Sequence, residues 1–134
     1  MHVLSLAILI MSTTGILASM QQTPPAIITP AEVQTRMEGD TAYVLLDVRR
    51  QEEFDGPLGH LHGAVLIPVQ ELTKRLDELS PHKQKTIVAV CRSGYRSGVA
   101  TAILRDHGFA ALNMVGGMIR WHAEGRAVIH TEIP

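Results

Sequence analysis

Short apolar runs, separated by polar stretches that carry a helical repeat, set the pattern of this chain. Residues 43–48, Tyr43 to Val48 in the order YVLLDV, form a strongly apolar run that predicts a strand. Thr86, Ile87, Val88, Ala89 and Val90 are apolar at nearly every position, as in a strand covered on both faces. Residues 64–67 and 112–115 predict two more strands, and Ile27 with Ile28 a short first one. Helices fall between them. Thr29 is placed as an N-cap, Pro30 at the first helical position, and Glu32 completes a capping box. That helix is predicted to run to about Glu38, with Gly39 and Asp40 ending it. Val69, Leu72, Leu76 and Leu79 mark one face of a second helix, with Lys74, Arg75, Asp77 and Glu78 outside and Ser80-Pro81 as its stop. Residues 98–107 predict a third helix, closed by Gly108, and residues 118–124 a short fourth, closed by Gly125. Residues 51–63, with three glycines and a proline, read as an irregular loop. Strands alternating with helices argue for an α/β fold with a mainly parallel sheet.

Composition narrows this picture. At 134 residues there is room for one domain with a modest core. A formal net charge of −1, without any basic block, gives no bulk attraction to nucleic acid. The chain has a single cysteine, so it has no internal disulfide; this fits a reducing compartment or an exported protein with one working thiol. Residues 3–20 are apolar and uncharged. They read as a secretory signal peptide over residues 1–19, with candidate cleavage after Ala18 or Ser19. The same run is long enough to be an uncleaved membrane anchor, or Met20 is the start and the product is cytoplasmic. Residues 20–28, with Pro24-Pro25, form a linker, and the domain occupies residues 29–134.

The densest chemistry is the stretch Cys91-Arg92-Ser93-Gly94-Tyr95-Arg96-Ser97. It leaves a buried strand and enters a helix, so backbone N–H groups of the loop and first turn are free to point at one spot. Arg92 and Arg96 add positive charge. A thiol there is expected to have a depressed pKa and to act as a nucleophile at neutral pH. The alternative for Cys91, a small buried hydrophobe, does not account for two flanking arginines. Asp47 and Arg49 end the strand that places ligands in open α/β sheets. They read as a buried, hydrogen-bonded pair that holds neighbouring loops, Arg49 partnering Asp47 or Glu53, rather than as catalytic groups. His60 and His62, two apart, lack a third metal ligand nearby, and no metal site is expected. Trp121 reads as core.

Three segments carry a family resemblance. A cysteine, four residues and an arginine between strand and helix resemble the active-site loop of the rhodanese sulfurtransferases. Leu45-Leu46-Asp47-Val48-Arg49, Glu53-Phe54 and the run Gly59-His60-Leu61-His62-Gly63-Ala64 resemble that family's N-terminal signature. Val115-Gly116-Gly117-Met118-Ile119-Arg120-Trp121 with Gly125 resembles its C-terminal one. Asp55-Gly56-Pro57-Leu58 departs from the family pattern by its length.

The resemblance implies a rhodanese-like α/β fold of small exported type, without cofactor. It also implies transfer of a sulfane sulfur from a small anionic donor such as thiosulfate to cyanide or a thiol, through a Cys91 persulfide. Amides from Arg92 to Ser97 would cradle the outer sulfur, and Ser93 or Ser97 would donate a hydroxyl to it. Arg92 and Arg96 would hold the donor, Gly94 would let the loop curl, and Tyr95 would wall the pocket mouth or stand exposed. Export would place the domain in a bacterial periplasm. Two other classes remain: a cysteine phosphatase or arsenate reductase of related fold, and a non-catalytic rhodanese-like binding module. The related dual-specificity phosphatases have five residues between cysteine and arginine, so the four between Cys91 and Arg96 imply, by that comparison, a cavity too small for phosphate. A binding module would be expected to lose the cysteine or the loop charges.

Overall fold

The computed structural model describes residues 26–132. The leader or anchor segment at residues 1–19 and all but the last residues of the linker lie outside them. Five strands, β1 (Ile27–Ile28), β2 (Tyr43–Asp47), β3 (Val65–Leu66), β4 (Thr86–Val90) and β5 (Ala110–Met114), form one sheet in the order β1-β5-β4-β2-β3. Every pairing is parallel. Four α-helices, α1 (Pro30–Gly39), α2 (Gln51–Phe54), α3 (Tyr95–Asp106) and α4 (Gly117–Ala123), and two 3₁₀ helices, Val69–Lys74 and Leu76–His82, complete the described fold.

The central strand β4 shows why both faces had to be apolar. Ile87 and Ala89, with Cys91 beyond the strand end, pack into a core with Leu46, Leu72, Leu79, Ala100 and Leu104. Val88 and Val90 face the other way, toward Val33, Met114, Met118 and Trp121. Strand side chains alternate in direction, so the sheet carries one core on each face. Cys91 therefore lies on the face covered by α3.

The capping box of α1 forms as read: Glu32 N–H donates to Thr29 Oγ1 and Thr29 N–H to Glu32 Oε2. Other expectations need correcting. The helix predicted on Val69, Leu72, Leu76 and Leu79 is instead two 3₁₀ helices, with Arg75 between them at φ −119°. The apolar spacing is two i,i+3 pairs, Val69–Leu72 and Leu76–Leu79, the repeat of a 3₁₀ helix, joined by a break. Pro81 does not stop the second of these but lies inside it. The loop at 51–63 contains the one-turn helix α2. Helix α3 begins at Tyr95, three residues before the predicted 98, because the first turn takes in half of the cysteine loop.

The topology places the site. From β2 the chain moves to β3 on one side; from β4 it moves to β5 on the other. Connections that leave neighbouring strands in opposite directions open a crevice outside their carboxyl ends. Asp47 and Val90 are in register at those ends, and Val48 N–H donates to Val90 O at 2.9 Å. The loops after β2 and β4 thus meet at the mouth of the sheet.

Candidate active site

Cys91 is the first residue after β4 and is only 1% exposed. Its sulfur accepts Gly94 N–H at 3.0 Å and the Ser97 hydroxyl at 3.2 Å. Gly94 is the N-cap of α3 at φ 103°, a left-handed conformation that side chains resist, and it turns its amide inward. No side chain caps α3; the sulfur stands where a cap acceptor would. Burial pushes the thiol pKa up. The Ser97 hydroxyl and the backbone amides of Ser97, Gly94 and Ser93 pull it down more strongly, and the thiol ends below its ordinary value. The depression expected from the sequence is therefore present, and its main cause is directed hydrogen bonding.

The two loop arginines separate. Arg96 donates both terminal nitrogens to Glu53, Nη1 to Oε2 and Nη2 to Oε1, each at 2.7 Å. Its guanidinium is raised above its ordinary value first by that carboxylate bond and to a smaller extent by the charge of Cys91. Glu53 is lowered to about 2, chiefly by Arg96 and less by the Arg50 amide, with burial opposing. Arg92 is exposed and lines a cavity of about 460 Å³ with Arg49, Glu53, Pro57, Leu58, Ile119 and His122. Pro57 and Leu58 belong to the extended loop noted in the sequence. Tyr95 is 80% exposed and does not line this cavity. The sequence marks Glu53 as part of the N-terminal signature and as a possible partner of Arg49, and does not show its link to the cysteine loop.

Asp47 and Arg49 form the buried pair expected. Arg49 donates Nη2 at 2.8 Å and Nε at 3.0 Å to the Asp47 carboxylate, with both side chains 1% exposed. Arg49 also donates to the carbonyls of Glu53 and Gly59, so it pins the loop after β2 at two points. His60 is committed locally: it stacks on Phe54 with ring centroids 3.7 Å apart, and its Nδ1 lies 3.0 Å from Phe54 O.

The C-terminal segment closes the back of the cysteine loop. Met118 and Ile119 N–H, at the start of α4, donate to the carbonyls of Cys91 and Arg92 at 2.9 and 3.0 Å. Gly117, at φ 57°, has to be glycine: a Cβ there would lie 2.4 Å from Arg92 O. Trp121 is buried and donates its indole N–H to Ala127 O. Sequence reading also missed Asn113 on β5. It accepts the Ser97 hydroxyl at 2.6 Å and donates to Gly94 O at 3.0 Å. A polar residue in an otherwise apolar strand was the available signal.

Comparison with known proteins agrees with this architecture. The model of the rhodanese-like domain matches residues 29–124. The "putative sulfurtransferase YtwF" of Bacillus subtilis is 34% identical over 97 residues, which cover 72% of this chain and 90% of that protein. The thiosulfate sulfurtransferase PspE of Escherichia coli is 33% identical over 73 residues, 54% of this chain and 68% of PspE. The HTH-type transcriptional regulator Rv0324 of Mycobacterium tuberculosis is 38% identical over 107 residues, 78% of this chain but only 45% of the regulator. Thus the chain spans less than half the length of that relative. Among solved structures, a rhodanese-related protein from Thermoplasma volcanium superposes with a TM-score of 0.70 at 28% identity, covering 78% of this chain and 98% of that one. The chain belongs to the rhodanese-like domain family.

Proposed function

We propose that the chain moves a sulfane sulfur from thiosulfate, or another small anionic sulfur donor, to a thiol or cyanide, with Cys91 as carrier. The observation that carries this reading is the Cys91 sulfur held at a strand end by the Gly94 amide and the Ser97 hydroxyl, with its thiol lowered. In the first half-reaction the Cys91 thiolate attacks the outer sulfur of thiosulfate. The sulfur–sulfur bond of the donor breaks and sulfite leaves with its electron pair, giving a Cys91 persulfide. In the second, cyanide or a thiolate attacks the outer persulfide sulfur, and thiocyanate or a new persulfide departs from the Cys91 thiolate. No general base is required, since the nucleophile enters as an anion.

Arg92 is the cation that meets the donor, because Arg96 is neutralised by Glu53. Ser93 and the loop amides stabilise the anionic persulfide. Export of the domain remains the reading of residues 1–19; fractionation of the expressing cell, followed by N-terminal sequencing, tests it.

The test of the transferase reading is intact mass after thiosulfate and again after cyanide. A gain of one sulfur atom, removed by cyanide and absent in Cys91→Ser, is expected. Hydrolysis of a phenyl phosphate without sulfur gain would replace this reading with a phosphatase. Neither activity would favour a binding module.

A further inference from the structure

Asn113 and Ser97 share one proton with the sulfur. Ser97 has a single hydroxyl hydrogen and two acceptors within reach, Cys91 Sγ at 3.2 Å and Asn113 Oδ1 at 2.6 Å. The Asn113 amide cannot turn over to relieve this. Its Nδ2 donates to Gly94 O at 3.0 Å, so Oδ1 is the atom that faces Ser97, and Ser97 has to be the donor in that contact. Asn113 itself is fixed by its backbone on both sides. Its N–H donates to Ala26 O at 2.7 Å, and it lies in register between Ile27 of β1 and Ala89 of β4. Gly98 leaves room for it: a Cβ there would lie 3.3 Å from Asn113 Nδ2. Ser97 is fully buried, so no solvent supplies a second donor to its oxygen.

We propose that Asn113 is a positioning residue that sets the reactivity of Cys91 by competing with the sulfur for the Ser97 hydroxyl. This rests on the reading of Cys91 as the nucleophile. In the thiol state the Cys91 S–H donates to Ser97 Oγ, and Ser97 donates to Asn113 Oδ1. When the thiol gives its proton to water, the hydroxyl rotates about Cβ–Oγ and donates to the sulfur anion. The 2.6 Å contact to Asn113 opposes that rotation. Asn113 thereby keeps the thiolate from being over-stabilised. A thiolate of lower pKa is a weaker nucleophile, so the competition preserves attacking power.

The experiment is the pH dependence of Cys91 alkylation by iodoacetamide in wild type, Asn113→Leu, Ser97→Ala and the double variant. Asn113→Leu keeps the branched shape and removes both the acceptor for Ser97 and the donor to Gly94 O. It is expected to lower the midpoint, with about fivefold more thiolate at a given pH on the acid side, the equivalent of one ordinary hydrogen bond. In the Ser97→Ala background the same substitution is expected to shift the midpoint less, only through its lost bond to Gly94 O. If Asn113→Leu does not fold, Asn113→Asp serves, again with and without the Ser97 hydroxyl; its added charge raises the midpoint in both, and its firmer hold on the hydroxyl is expected to make the rise larger where Ser97 is present. An unchanged or raised midpoint in Asn113→Leu, an equal shift with and without the Ser97 hydroxyl, or a lowered midpoint in Asn113→Asp would each overturn the proposal. A role confined to packing would not depend on the Ser97 hydroxyl. The alkylation profile needs only the thiol; sulfur loading of the wild type in parallel reports separately on transfer.

Discussion

The loops after β2 and β4 leave neighbouring strand ends, yet they use polar groups in opposite ways. After β2, charged side chains are turned inward and consumed: Arg49 meets Asp47 and two loop carbonyls. After β4, backbone amides and one hydroxyl are turned inward, and the carbonyls behind them are taken up by α4. The first loop closes its own accounts of charge. The second leaves donor capacity focused on one sulfur atom. A buried ion pair is costly to desolvate, and its geometry has to be complete before it holds. Neutral amides need no counter-ion and remain available for whatever anion forms among them. The Glu53–Arg96 pair links the two loops and is only part-buried.

The sharpest way to break the comparison is at its two centres. Cys91→Ser is expected to abolish sulfur loading, read by intact mass, while the melting transition stays near that of wild type. Arg49→Ala is expected to do the reverse. It strands the Asp47 carboxylate in the core and should cost about 3–5 kcal/mol in urea unfolding, while folded molecules still load sulfur. The two loop arginines sharpen the contrast further. Arg92→Ala should raise KM for thiosulfate about tenfold, the size of one charge-assisted contact. Arg96→Ala should raise it less, because Glu53 already neutralises that guanidinium; equal effects from the two would contradict this assignment.

The acid limb of stability comes next. Glu53 is held at about 2 when folded, below its ordinary 4.5. Its contribution is therefore full above about 4.5 and is lost as pH falls toward about 2. Glu53→Gln should flatten the stability curve in that window, measured by urea midpoints at successive pH values. Smallest is Thr29→Ala, remote from both loops, which should cost about 1 kcal/mol through loss of the α1 cap and leave transfer unchanged.

Local patterns were legible where the physics is local. The capping box of α1 depends on residues three apart, and the two-faced core of β4 depends on alternation within five residues. The Asp47–Arg49 pair was legible because its members are two residues apart. Glu53 and Arg96 are 43 residues apart, and nothing in either segment names the other. Asn113, on β5, lies 16 residues from Ser97, which is on α3. The split helix at residues 69–82 failed for another reason: i,i+3 apolar pairs serve a 3₁₀ helix as well as an α-helix. The pKa direction of Cys91 and the amide part of its cause were readable, whereas one of the two added charges, Arg96, is directed by the fold to Glu53.

The stitching of Cys91 and Arg92 carbonyls to the first amides of α4 has a thermodynamic consequence. The conformational entropy of ordering the sulfur cradle is lost once, when the chain folds, and not at each turnover. On the proposed reading, a donor arriving at Cys91 would meet dipoles that already point at the sulfur, so little reorganisation would separate encounter from sulfur transfer.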